Sequence, residues 1–270
     1  MNSNEITILK KIVDDSDRLI APSFQFIFCY FSFFVRLSDI SVILENFKLK
    51  EITMVNKVAW ITGAGSGIGE ASAIKLSEEG FIVVLSGRTK EALDSVASKC
   101  RGQASVEPLD VSNSEDVEGV FKNIISDYGR IDVLVASAGL NAKNRNWHNV
   151  SDEDFDQIIK IDLNGVFYTN RLVLEKMKEQ KEGLIINISS WAGKYVTTLT
   201  GPAYTAAKHG VNALTEGINM EAGHFGVRAC AICPGEVATP ILDKRPIPVS
   251  KEDKEKICLL YTSDAADDSL

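Results

Sequence analysis

The chain reads as an α/β protein built on a doubly wound parallel sheet, and three features of its sequence predict this. Between residues 54 and 256, short apolar runs alternate with stretches of helical periodicity. The runs are too uniformly apolar to leave one face in water, so the sheet must be covered on both sides. A glycine-rich loop, TGAGSGIG at residues 62–69, follows the first run and opens the first helix, which is where a dinucleotide-binding β-α-β unit carries it.

Strands are expected, in order, at KVAWI, FIVVL, ASVEPL, IDVLVAS, GLIINIS and VRACAI. The helical patterns between and after them are GIGEASAIKLSEE, KEALDSVASKC, SEDVEGVFKNIISDY, the long DEDFDQIIKIDLNGVFYTNRLVLEKMKE and AYTAAKHGVNALTEGINMEAG. Two helices open with capping boxes, Ser112-x-x-Glu115 and Ser151-x-x-Asp154, whose side chains satisfy orphan N–H groups. In the glycine loop, Gly63 permits the tight turn, Gly67 lets backbone approach a pyrophosphate and Gly69 allows close helix–strand packing. A helix beginning near Ile68 aims its N–H groups and positive dipole end at the phosphates. This is a Rossmann-type arrangement.

At 270 residues and 45% hydrophobic, the chain can bury the core of one large domain or two small ones. A net charge of -8 lacks the basic stripe that nucleic-acid binding requires. Five cysteines at irregular spacing do not make a disulfide framework, so a cytoplasmic setting is expected. Cys230 and Cys233 flank a strand-like run, where residues three apart face opposite sides, so they read as buried strand cysteines and no metal site is expected.

The two ends differ from the middle. Residues 1–53 carry an apolar run at 19–35, near the lower limit for a membrane span. Met54 starts MVNKVAWITGAG, one strand ahead of the glycine loop. Residues 1–53 are therefore expected to be translated upstream sequence, with a membrane anchor or a disordered extension as the alternatives. Residues 257–270, ICLLYTSDAADDSL, resemble a translated sequencing adapter and are expected to be an artefact tail.

The G-x-x-x-G-x-G spacing, Ser190 in INISSWAG, Tyr204-x-x-x-Lys208 and CPGEVATPI at 233–241 occur in one order. Together they resemble the short-chain dehydrogenase/reductase family over roughly residues 55–248. The resemblance implies reversible hydride transfer between a nicotinamide cofactor and a carbonyl or alcohol. It makes Ser190, Tyr204 and Lys208 the reaction centre, with Ser189 structural. Ketone reduction needs a proton for oxygen as hydride reaches carbon, and free tyrosine, at a pKa of about 10, holds its proton too firmly. Lys208, one helical turn from Tyr204 and on the same face, is expected to loosen it. Ser190 would hydrogen-bond the substrate oxygen, and Lys208 the nicotinamide ribose.

The resemblance also assigns cofactor contacts to Gly63, Ser66, Gly67, Ile68, Gly69, Asp110, Val111, Ala138, Gly139, Pro234, Gly235, Val237 and Thr239, together with Tyr204 and Lys208. At the end of the second strand stand Arg88 and Thr89 instead of an acidic residue. A guanidinium there favours the 2′-phosphate of NADP(H) over NAD(H). Relatives carry Asn-Asn-Ala-Gly where this chain has ASAG at 136–139, and a catalytic asparagine where it has Asp162. Asp162 could accept hydrogen bonds in a proton relay but would oppose a phenolate at Tyr204. His148 and Trp147 are weaker candidates for substrate contacts, and His209 reads as a bystander. After Ile241 only the start of a substrate lid is recognisable and the seventh strand is expected to be missing. Two other readings stay open: a catalytically impaired, truncated dinucleotide-binding fragment, and a membrane-anchored reductase of the same family. A full-length form is expected to be a homo-oligomer that pairs through its two long helices.

Overall fold

A computed structural model describes residues 57–235. Chain order is β1 (Val58–Thr62), α1 (Gly67–Glu78), β2 (Ile82–Gly87), α2 (Lys90–Ala97), β3 (Ala104–Pro108), α3 (Ser114–Tyr128) and β4 (Val133–Ala136). It continues with α4 (Asp152–Ile159), a π-helical turn (Lys160–Asn164), α5 (Gly165–Gln180), β5 (Gly183–Ile188), α6 (Gly201–Ala222) and β6 (Val227–Ile232). The extensions at 1–53 and 257–270, Val237, Thr239, the lid and any seventh strand lie outside the described residues.

The strands form a six-stranded sheet in the order β3-β2-β1-β4-β5-β6, every pairing parallel. Strand order reverses between β1 and β4, and such switch points open a crevice at the strands' carboxyl ends. The central strands are buried along their whole length, VAWIT in β1 and VLVA in β4. Val58, Trp60, Leu134 and Ile185 pack with Val117 and Ile124 of α3 and Val173 and Met177 of α5. Each fully buried aliphatic side chain contributes about 1.5–3 kcal/mol. The outer strand β3 is wetter than the sequence implies: Ala104 to Glu107 are half-buried and Pro108 is exposed.

At the amino ends of β1, β4 and β5 lies a closed ionic network. Asp132 Oδ2 accepts from Val58 N at 2.8 Å and from Arg130 Nε at 2.9 Å. Lys57 stands 3.8 Å from Asp132 and 3.4 Å from Glu182, and Arg130 also pairs with Glu182 at 2.7 Å. Gln180 closes the corner by exchanging hydrogen bonds with both backbone groups of Ile131.

Two local expectations need correction. The cap of α3 is Asn113, whose side chain accepts from Glu115 N and Asp116 N. Ser112 does not cap it, because Asp110 Oδ1 takes both its N–H and its hydroxyl, at 3.0 and 2.8 Å. Ser151 does cap α4, accepting from Asp154 N at 3.1 Å. The long helix is not uniform: Gly165 N bonds to Lys160 O, five residues back, so one wide turn separates α4 from α5. In the 136–139 segment at the end of β4, which has no asparagines, Thr62 Oγ1 accepts from Ser137 N at 3.2 Å and Ala138 N at 3.4 Å.

Candidate active site

The sequence-selected residues gather at the carboxyl edge of the sheet. Gly63, Ser66, Gly67, Ile68 and Gly69 join β1 to α1; Arg88 and Thr89 follow β2; Asp110 and Val111 follow β3; Ala138 and Gly139 follow β4; Ser190 follows β5; Pro234 and Gly235 follow β6. The glycine loop needs its glycines. Gly63 has φ +64, and a Cβ there would stand 2.7 Å from Ala138 N, so any side chain would push the loop off the β4 segment. Ser66 and Arg88 are exposed. Asp110 is lowered from its ordinary value: burial would raise it, but the Ser112 hydrogen bonds and then the Arg88 charge outweigh that. Arg88 is therefore electrostatically in reach of the segment after β3. Val111 is buried against Gly165, where a Cβ would come within 2.8 Å of its side chain. The adenine-side segment thus rests on the start of α5.

Deeper in the cleft, Asp162, Lys208, Tyr204 and Ser190 converge. Asp162 is fully buried in the π-helical turn, a deformation that recurs at functional sites because it re-aims one side chain. Its Oδ1 accepts from Leu140 N at 2.8 Å, and its Oδ2 faces Lys208 Nζ at 3.4 Å. Lys208, 3% exposed, donates to the carbonyl of Ile188, the last residue of β5, at 3.0 Å. Its ammonium lies 5.4 Å from the centre of the Tyr204 ring. Gly139 borders the same pair: a Cβ there would lie 3.1 Å from Asp162 Oδ2 and 3.4 Å from Lys208 Nζ. Ser190 caps the short turn Trp191–Gly193 by accepting from Ala192 N at 3.1 Å. Its neighbour Ser189 is turned away, donating to the Lys208 carbonyl at 3.1 Å.

The charges answer the expectation about the phenol. Protein packed around Tyr204 raises its pKa; Lys208 lowers it, Asp162 raises it, and Ser190 and Arg145 lower it, for a net rise. In the protein alone, then, the lysine does not loosen the phenol below its ordinary value as the sequence reading expected. Burial, joined by the charge of Asp162, prevails. The Asp162 carboxyl is itself raised by burial, which the Lys208 charge and the Leu140 N–H offset only in part. For Lys208, burial acts to lower the value, but Asp162 and then Tyr204 outweigh it and the ammonium is held more tightly than usual.

Trp147, 86% exposed, and exposed His148 sit on the β4–α4 loop without approaching the cluster through any hydrogen bond or ring contact among the described residues. His209 Nδ1 bonds to the Thr205 carbonyl at 2.9 Å, within its own helix. Arg145, which no sequence motif singles out, is buried and acts on Tyr204. Its signal was a lone arginine in a polar loop, which looks like a solvated one.

Fold and cleft together define a Rossmann-type dinucleotide-binding protein with the chemistry of an oxidoreductase. The family model described as short chain dehydrogenase matches residues 57–247, and the chain belongs to that family. An uncharacterized oxidoreductase of Staphylococcus aureus is 39% identical over 189 residues, which are 70% of this chain and 81% of that protein. Among solved structures, levodione reductase superposes with a TM-score of 0.67 at 32% identity, covering 70% of this chain and 76% of its own. An alcohol dehydrogenase from the archaeon Thermococcus sibiricus, complexed with 5-hydroxy-NADP, gives 0.64 at 30% identity, covering 76% and 90%. Among the described residues no helix is long and apolar enough to cross a membrane.

Proposed function

We propose that this chain interconverts a small carbonyl compound and its alcohol with NADP(H), and that Tyr204 exchanges the proton. The observation that carries this reading is the meeting of Tyr204, Lys208, Asp162 and Ser190 beside Gly139, at the switch point that the glycine loop also borders. A dinucleotide fits the residues present. The loop of residues 63–69 offers backbone N–H groups and the amino end of α1 to a pyrophosphate, and a side chain at Gly139 would crowd Asp162 and Lys208. Exposed Arg88 at the end of β2 suits a 2′-phosphate, in keeping with the NADP analogue in the archaeal relative. When bound, the nicotinamide supplies or accepts the hydride and, oxidised, brings a positive charge to the cleft.

The chain's own groups do the rest. Ser190 already accepts a hydrogen bond from Ala192 N, which leaves its hydroxyl proton for Tyr204 or a substrate oxygen. The raised phenol stays protonated at neutral pH, the form needed to protonate the oxygen of a reduced carbonyl. Alcohol oxidation needs the deprotonated phenol, so its rate should climb with pH. Lys208, tied to Ile188 and Asp162, is a fixed charge that limits the cost of forming phenolate. A matched acid–base of this kind contributes about 10²–10⁴-fold.

The test is NADPH and NADH oxidation by the purified chain with a panel of cyclic and aryl ketones, beside Tyr204→Phe and Arg88→Ala. Turnover with NADPH, lost in Tyr204→Phe, is the expected result, with Arg88→Ala erasing the preference over NADH. Silence across the panel, or full turnover in Tyr204→Phe, overturns the reading.

A further inference from the structure

We propose that Asp162 sets which oxidation state of the dinucleotide this chain holds more tightly: its carboxylate cancels the charge of Lys208, so that the oxidised, cationic nicotinamide enters the cleft without repulsion. The two oxidation states differ by one positive charge on the reacting ring and share every other charged group. A fixed charge near that ring therefore acts on one form and leaves the other nearly untouched.

Lys208 is such a charge, 3% exposed and tied to the Ile188 carbonyl at 3.0 Å. Alone it would disfavour the cationic ring. Asp162 Oδ2 stands 3.4 Å from its Nζ and has no hydrogen-bond partner among the described residues. The carboxyl is fixed in that bearing, because Oδ1 accepts from Leu140 N at 2.8 Å and the residue is set in the wide turn before α5. The ammonium and the Leu140 N–H both favour the ionised carboxyl, and a pair this buried is weakly screened. With both groups charged, the pair sums to zero.

The pair lies on the path that a bound dinucleotide must follow. A Cβ on Gly63 of the glycine loop would stand 2.7 Å from Ala138 N, and a Cβ on Gly139, the residue after Ala138, would stand 3.1 Å from Asp162 Oδ2. Beyond the pair, Lys208 Nζ is 5.4 Å from the centre of the Tyr204 ring. A dinucleotide with its pyrophosphate on the glycine loop and its hydride-bearing carbon near Tyr204 spans this stretch. At an effective dielectric of about 20, two unit charges about 12 Å apart still change an affinity by about tenfold.

This rests on the dinucleotide-binding reading of the site and is tested by binding alone, without substrate. Calorimetric titration of the purified chain gives the Kd of NADP+ and NADPH, and of NAD+ and NADH. The parent should hold the oxidised member of its preferred couple at least as tightly as the reduced one, a measurement that needs no variant. Asp162→Asn should weaken the oxidised member by about tenfold and move the reduced member by less than about twofold. Asp162→Ser, which removes the same charge without supplying an amide, should shift the ratio equally. Equal weakening of both oxidation states would make Asp162 a packing residue and overturn the proposal. So would an unmoved ratio in either variant, tighter binding of the reduced form by the parent, or a parent that binds no dinucleotide. Should the ketone panel be silent while the ratio shifts, the functional reading fails and the charge effect stands; turnover with an unmoved ratio gives the reverse.

Discussion

The two ends of the sheet each bury a lysine against an aspartate, and they differ in how completely the charges are satisfied. Lys57 and Asp132, at the amino end, are 3.8 Å apart with side chains 5% and 4% exposed. Lys208 and Asp162, at the carboxyl end, are 3.4 Å apart with side chains 4% and 0% exposed. Asp132 has both oxygens engaged by Val58 N and the Arg130 guanidinium, and Lys57 has Glu182 as a second partner. Asp162 has one oxygen on Leu140 N while the other meets only an ammonium among the described residues. A saturated buried pair resists any change of protonation, since each lost bond costs its full desolvation penalty. An unsaturated one can change charge with less loss. On the proposed function, the amino end holds still while the carboxyl end trades protons.

Substitutions at the two ends should separate these roles. The largest effect belongs to Tyr204→Phe: a fall in kcat of about 10²–10⁴-fold, with a thermal melt matching the parent. Equal losses of activity and stability would instead make Tyr204 a packing residue. Next, Asp132→Ala leaves Lys57 and Arg130 with Glu182 alone and Val58 N without its acceptor, and should cost about 3–5 kcal/mol in denaturant unfolding. The variant's residual activity should keep the parent's pH profile, and a shifted profile would erase the distinction between the ends. Third, because Asp162 raises the Tyr204 phenol, Asp162→Asn should carry the rise of alcohol oxidation with pH to lower pH by about one unit. A profile that stays in place would show Asp162 to be electrostatically silent. Smallest, Asn113→Ala should cost about 1 kcal/mol by uncapping α3, whereas the capping box expected from sequence would give that loss to Ser112→Ala.

How much of this was legible depended on the range of the interaction. The glycine loop, the strand order of elements and the Tyr204–Lys208 pair are local patterns, and each stands where the sequence put it. The ionic network was not legible, since Lys57 and Glu182 are 125 positions apart and only the sheet joins them. Ser112 and Asn113 are adjacent and both suit a cap; the choice falls to Asn113 because Asp110 captures the serine. The direction of the Tyr204 shift was missed because the lysine at i+4 is visible in sequence and burial is not. Arg145 was invisible for the same reason, a charge in a loop whose packing against Gly201 appears only in three dimensions.

The wide turn at Lys160–Asn164 has a consequence for how the two halves of the long helix can vary. An α-helix advances by about 100° per residue, so the extra residue sets α4 and α5 out of phase with each other. Deleting any one residue from that turn would restore an even spiral and swing α4 round relative to α5. Either Ile158 would leave the small core it shares with Ala203 and Ala207, or Asp162 would be carried away from Lys208. The turn thus works as an index mark that lets one face of the rod serve packing while the carboxylate keeps its own bearing.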